Sequence, residues 1–180
     1  MFELKKTVAL IGMMGSGKSA IGKVVSSILD VPFVDADVEI ERAAKLSISE
    51  IFERHGEKFF RDKEDQVIKR LLKERPCILA TGGGAFVNEK IRTSIKQHCV
   101  SVWLNTDVET LWKRVKHKKT RPLLRTDNPR ETLVNIYSDR IKTYSLADVI
   151  IESRGTSSLD KMANLVINSL LDRNDLIERI

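Results

Sequence analysis

The chain has 180 residues, 42% of them hydrophobic and 31% charged, which suits one compact domain with a full core. No apolar run approaches the roughly 20 residues needed to cross a bilayer, so no membrane association is expected and the cytoplasm is the expected compartment. The net charge of +6 is local: without the seven basic residues of KRVKHKKTRPLLR (113–125) the chain holds 24 basic against 25 acidic residues, which suits one anion-handling site and excludes a general nucleic-acid coat.

In chain order, TVALIG (7–12) reads as a buried strand. The apolar run within MFELKKTVALIGMMG is short and is followed at once by GKS, which suits a strand rather than a signal peptide. The strand leads into Gly12-Met-Met-Gly15-Ser16-Gly17-Lys18-Ser19, which fits G-x-x-x-x-G-K-[ST] in its strand-to-helix context. Glycines there let backbone amides close around phosphate, and the helix N-terminus adds partial positive charge. Lys18 would reach the β and γ phosphates and the Ser19 hydroxyl would bind Mg2+. ATP or GTP is therefore the expected ligand, and the lack of an N-K-x-D guanine signature counts against a GTPase. Residues 17–30 suit a helix with Ile21, Val24, Val25, Ile28 and Leu29 on one face. VPFVDAD (31–37) reads as a second strand with acids at its end.

A helical pattern resumes through VEIERAAK, and Ser47 with Glu50 forms a capping box for SISEIF. The pattern breaks at Gly56 and then continues as an amphipathic helix to about Glu74. CILAT is the third strand. In many phosphate-loop enzymes a second apolar strand ends in a metal-holding aspartate; here Thr81 is followed by Gly82, Gly83 and Gly84. NEKIRTSIKQ is a helix, CVSVWLN the fourth strand and DVETLWKRVK a helix. The basic segment follows, then a long helix over NPRETLVNIYSDRIKTYSLA with Pro129 at its start. ADVIIE is the fifth strand and SSLDKMANLVINSLLDR the closing helix. This alternation implies parallel strands with crossover helices: a three-layer α/β/α fold with a five-stranded parallel sheet. One domain over 1–180 is expected, with excursions at about 37–64 and about 115–127. Cys77 and Cys99 read as buried or half-buried thiols. His55, His98 and His117 show no metal-ligand spacing.

Six motifs, in order, resemble the shikimate kinase family over nearly the whole chain: GMMGSGKS, VDAD, FFRDKE, ATGGG, RPLL and Arg140 in RIKTYSLAD. The resemblance implies a small P-loop kinase of the nucleoside-monophosphate-kinase-like superfamily, with a mobile lid. It implies ATP and Mg2+, and shikimate as the acceptor phosphorylated at its 3-hydroxyl. The ATP site would be Gly12, Gly15, Ser16, Gly17, Lys18, Ser19 and Ala20, with Arg114 on adenine and Arg154 bordering it. Asp35 would hold Mg2+ with Ser19. Asp37 would take acceptor hydroxyls, as an ionised carboxylate can only accept; whether it also takes a proton stays open, as does turn or cap chemistry for the DAD pair.

Gly82, Gly83 and Gly84 would let the acceptor ring approach the backbone, or would serve a turn needing positive φ. Arg61 and Arg140 would clamp the acceptor carboxylate through their planar forks; without the family match, Arg61 reads as a solvated helix position beside Asp62 and Glu64. Phe59 and Phe60 read as core. Arg121 of RPLL would act as an arginine finger on the phosphates, with Lys18 and Asp37 completing the catalytic set. Ala20 stands where the family commonly has threonine or serine. Ile141, Lys142 and Thr143 fill a gap that often holds proline and leucine. A monomer is expected. A kinase for another hydroxy acid such as gluconate is disfavoured by TGGG with Arg61 and Arg140. A non-catalytic nucleotide binder is disfavoured by Lys18, Ser19, Asp35, Asp37 and Arg121 together.

Overall fold

The structure, a computed structural model, describes residues 2–118, 120–153, 155–173 and 175–179. Five parallel strands form the central sheet: β2 (Thr7–Ile11), β3 (Phe33–Asp35), β4 (Ile78–Ala80), β5 (Cys99–Thr106) and β6 (Val149–Ser153), in the order β3-β4-β2-β5-β6. Helices α1 (Lys18–Leu29), α2 (Ala36–Ala44), α3 (Ile48–Leu71), α4 (Glu89–His98), α5 (Val108–Val115), α6 (Pro129–Tyr144) and α7 (Leu159–Leu171) cover it. This is the expected three-layer α/β/α arrangement.

Every residue of β2 is buried, and its side chains alternate between two cores as the strand period of two requires. Val8 and Leu10 pack with Ile21, Val25, Met162 and Val166 under α1 and α7. Ala9 and Ile11 face the opposite core, which holds Ile40, Phe60, Ile68, Phe86 and Tyr144 from the remaining layer. The loops after β2 and β4, and the start of α2 directly after β3, therefore emerge together at the carboxyl edge of the sheet, where open α/β folds place their ligands.

A second sheet was not legible in the sequence. β1 (Phe2–Leu4) pairs antiparallel with β7 (Ile177–Arg179), Leu4 opposite Ile177. Strands of three residues carry no readable period, and their partners lie at opposite ends of the chain. The pairing buries Leu4 and Ile177 under the α1/α7 core.

Local signals were followed closely. The Ser47–Glu50 capping box forms. Gly56, with φ 78° and ψ 174°, breaks α3. Pro129 stands at the start of α6, behind an Asn128 side chain that accepts from the Glu131 amide. Helix α6 runs unbroken through Ile141, Lys142 and Thr143, so the lack of proline there leaves plain helix between Arg140 and Tyr144. Cys77 and Cys99 are buried free thiols.

Candidate active site

The loop after β2 turns through positive φ at Gly12, Gly15 and Gly17. A Cβ on Gly15 would stand 2.7 Å from Val115, so this position needs glycine for both backbone and space. Lys18 is 9% exposed and its Nζ donates to the Gly12 and Met13 carbonyls at 2.8 and 2.9 Å. Burial lowers its pKa to about 8, with Asp37 opposing the shift. The ammonium is thus folded back on the loop's own carbonyls, where an incoming polyphosphate offers a stronger partner.

Ser19 Oγ donates to Asp35 Oδ2 at 2.6 Å. The other Asp35 oxygen accepts the Asp37 amide at 3.0 Å and caps α2. One carboxylate thereby joins the phosphate loop to the acid-bearing helix; cap chemistry and a place at the site coexist in it. Among the described residues no group of three or more His, Cys, Asp or Glu gathers. A single carboxylate beside a hydroxyl fits a cation such as Mg2+, which takes one or two protein ligands and completes its shell with phosphate oxygens and water.

Two cavities meet here. One, of about 520 Å³, is lined by Gly15, Gly17, Lys18, Ala20, Arg114 and Met162. Arg114 Nη1 donates to the Gly15 carbonyl at 3.0 Å, which holds that guanidinium over the loop. Arg154 lies outside the described residues. The other cavity, of about 410 Å³, is lined by Arg61, Glu64, Gly82, Gly84, Phe60 and Arg140. Ser19, Asp35, Asp37, Gly83 and Arg121 line both. A group passing from one cavity to the other would cross at these residues.

Burial, and then the charge of Asp35, push the Asp37 carboxyl up, while Lys18 and Arg121 pull it down less strongly. Its Oδ1 is buried with no protein partner, as are Glu64 Oε1, Arg121 Nε and Arg140 Nη1. These four residues come from four separate stretches of chain and all line the acceptor-side cavity. They present acceptors for hydroxyls and donors for anionic oxygens.

Gly82, Gly83 and Gly84 do not carry positive φ, so the turn itself does not require glycine. Space does. A Cβ on Gly82 would come within 3.0 Å of Asp37 Oδ1 and one on Gly83 within 3.3 Å of Arg140 Nη1. On Gly84 it would stand 2.6 Å from Arg61 Cζ. Each glycine makes room for a charged side chain of the acceptor-side cavity. Gly84→Ala is therefore expected to displace the Arg61 guanidinium and raise the acceptor KM about tenfold with the nucleotide KM unchanged, read by acceptor titration at saturating nucleotide.

Arg61 is not a solvated helix position: its side chain is 22% exposed. It donates to Glu64 at 2.7 Å and to Glu57 at 3.0 Å. Burial works against its charge, and the two glutamates more than offset this, so the guanidinium stays firmly protonated. Glu64 is fully buried, and burial pushes its carboxyl up against the pull of Arg61. Sequence reasoning missed Glu64, because FFRDKE reads as an exposed charge run. The available signal was its i,i+3 spacing from Arg61, which puts both on one helix face. Phe52 was also missed, and Phe60, read as core, belongs to the core and also lines the cavity.

Arg121 precedes the short 3-10 turn Pro122–Leu124, and Leu123 and Pro122 lie over the acceptor-side cavity. Arg125 ties this segment to α3 through Glu53 at 2.5 Å and Ser49 at 3.2 Å. The basic segment thus reaches across both cavities rather than standing as a solvated loop. Lys119 lies outside the described residues.

Residues 14–171 match the family model described as Shikimate kinase. A shikimate kinase of Ruegeria pomeroyi is 54% identical over 175 residues, covering 97% of this chain and 90% of that relative. One of Cereibacter sphaeroides is 53% identical over 178 residues, covering 99% and 89%. The solved shikimate kinase from Acinetobacter baumannii in complex with shikimate superposes with a TM-score of 0.89 at 33% identity, covering 94% of each chain. A family match across most of the chain, relatives of this identity over its whole length, and the phosphate loop facing an arginine- and carboxylate-lined cavity agree: the chain belongs to the shikimate kinase family.

Proposed function

We propose that the chain is an ATP-dependent shikimate kinase, converting shikimate and ATP to shikimate 3-phosphate and ADP in chorismate and aromatic amino-acid biosynthesis. The observation that carries this reading is the meeting of the two cavities at Asp35, Asp37 and Arg121, in a member of this family. ATP takes the loop cavity, with its phosphates on Gly12, Gly15, Ser16, Gly17 and Lys18. Its ribose and base lie toward Ala20 and Arg114. Mg2+, held by Ser19 and Asp35, neutralises phosphate charge when bound. Arg61 and Arg140 take the shikimate carboxylate, and the Gly82–Gly84 backbone lets the ring approach closely.

Asp37 takes the acceptor's hydroxyl hydrogen bond and orients the 3-oxygen for in-line attack. The new bond joins that oxygen to the γ-phosphorus as the bond from the γ-phosphorus to the β,γ-bridging oxygen breaks. Asp37 takes the hydroxyl proton, and the burial that raises its pKa makes it a better proton acceptor. Lys18 and Arg121 stabilise the charge spread over the transferring group and the departing ADP oxygen. The segment about 115–127 acts as the lid, and with it in place water is kept from the γ-phosphate. Among the described residues no helix is long and apolar enough to cross a membrane. The enzyme works in the cytoplasm as a monomer, with no nucleic-acid or membrane partner.

A coupled ADP-release assay with ATP, Mg2+ and shikimate tests the reading, run beside gluconate and a no-acceptor control. Shikimate-dependent turnover is expected, and Arg61→Ala should raise the shikimate KM about tenfold or more through loss of charge-assisted bonds. Nucleotide binding without shikimate-dependent turnover would overturn the acceptor assignment.

A further inference from the structure

Tyr144 is the last residue of α6, one helical turn beyond Arg140 and on the same face. It is 1% exposed, and its ring lies 5.8 Å from that of Trp103. Packing alone would ask for phenylalanine here. The hydroxyl, however, donates to the Gly83 carbonyl and sits 3.7 Å from Met13 Sδ in the phosphate loop. Arg140 lies against the same peptide, its Nη1 3.3 Å from where a Cβ on Gly83 would stand, and Arg61 and Glu64 are the other charged groups whose field reaches the hydroxyl. Burial pushes the phenol pKa up, so the group remains a donor across the physiological range.

Gly83 lines both cavities. Its Cα carries no side chain to wedge it, and a Cβ there would lie 3.4 Å from the Met14 amide and 3.5 Å from the Gly12 carbonyl. The Gly83 peptide is therefore sandwiched between the phosphate loop and Arg140, and the Tyr144 hydroxyl fixes which way its carbonyl points. We infer that Tyr144 is a positioning residue for the acceptor: its hydroxyl orients the Gly83 peptide and seats Arg140 for the acceptor carboxylate. This rests on the reading of shikimate as acceptor.

The test is Tyr144→Phe, assayed with the native enzyme under both substrate titrations and with thermal melting. The shikimate KM should rise about tenfold, the loss of one buried hydrogen bond and the arginine pose it supports, while the ATP KM moves by less than about twofold. A residue that only packs would shift the melting temperature and leave both KM values alone; that result, with the native enzyme active, overturns the inference. Absence of shikimate turnover in the native enzyme would remove the acceptor reading, and this inference with it.

Should the phenylalanine variant fail to fold, 3,5-difluorotyrosine at position 144 keeps the shape and makes the phenol ionise more readily. Once ionised it cannot donate to Gly83. The shikimate KM of that protein should climb, relative to the native enzyme's profile, across the pH range in which its phenolate absorbance appears, and the two profiles are compared over that range. Superimposable profiles would overturn the inference.

Discussion

Lys18→Met is expected to lower kcat by about a hundred- to a thousandfold while leaving the melting temperature unchanged or higher. The activity loss follows from the reaction: a loose phosphoryl-transfer transition state is stabilised by fixed charge at the γ-phosphate, and Lys18 is the cation placed on the loop that cradles it. The stability side follows from where the ammonium sits. Burial lowers its pKa from 10.5 to about 8, so between those values the unfolded chain holds a proton that the folded protein has released. Stability therefore rises with pH across that window, and below it the folded state carries a cost on the order of 3 kcal/mol for the buried charge. Methionine removes this cost together with the hydrogen bonds to Gly12 and Met13. The ligand-free native enzyme should also bind ATP less tightly above about pH 8, as Lys18 loses its charge, and the variant should lack that inflection. Titration of nucleotide affinity against pH, with melting curves in parallel, checks both. A variant that melts well below the native protein would mean that the loop carbonyls depend on the ammonium for folding, and the assignment of a mainly catalytic role would fail.

The parts of this site that the sequence announced are those whose chemistry is local. Gly12 to Ser19 is a contiguous motif, and Asp35 ends a short strand while Asp37 opens the helix that follows it, where their neighbours in the sequence define them. Arg121 sits in a basic run that no surface helix would need. What stayed hidden depends on burial created by distant segments. Glu64 lies in a run of charges, and only the turn at Gly82, eighteen residues later, closes over it. The reason for three glycines was likewise invisible: not left-handed backbone, but room for Asp37, Arg140 and Arg61. Tyr144 looked like any aromatic at a helix end, because its hydrogen-bond partner is a backbone carbonyl sixty-one positions away. The fold divides the same way. The five parallel strands each carry an apolar run between helical periods, whereas β1 and β7 gain their identity only by meeting.

Asp37→Asn should separate function from stability most clearly, cutting kcat by about a hundredfold or more while raising the melting temperature at neutral pH. Asparagine keeps the shape but cannot take the proton of the attacking hydroxyl. The native carboxylate stands in a place that disfavours its charge: burial and Asp35 together outweigh the attraction of Lys18 and Arg121. Its folded pKa is raised, so between the ordinary carboxylate value and the raised one the folded state holds more protons than the unfolded chain. Stability falls as pH rises through that interval, so at neutral pH, well above the ordinary carboxylate value, the folded state carries a penalty. The neutral amide is free of it. The gain in melting temperature should therefore be present at pH 7 and shrink as the pH is lowered until Asp37 is protonated in both states. A second consequence reaches the nucleotide side. Asp37 is the main charge holding the Lys18 pKa up against burial, so its neutralisation should move the pH inflection in ATP affinity to lower pH. Melting temperature against pH for both proteins, with ATP binding over the same range, tests the whole chain of reasoning. If the variant is less stable at pH 7, attraction to Lys18 and Arg121 outweighs burial, and the picture of a carboxylate held against its own solvation until the acceptor arrives is wrong. If it is more stable and inactive, the ligand-free enzyme carries at Asp37 a destabilising charge that its reaction requires.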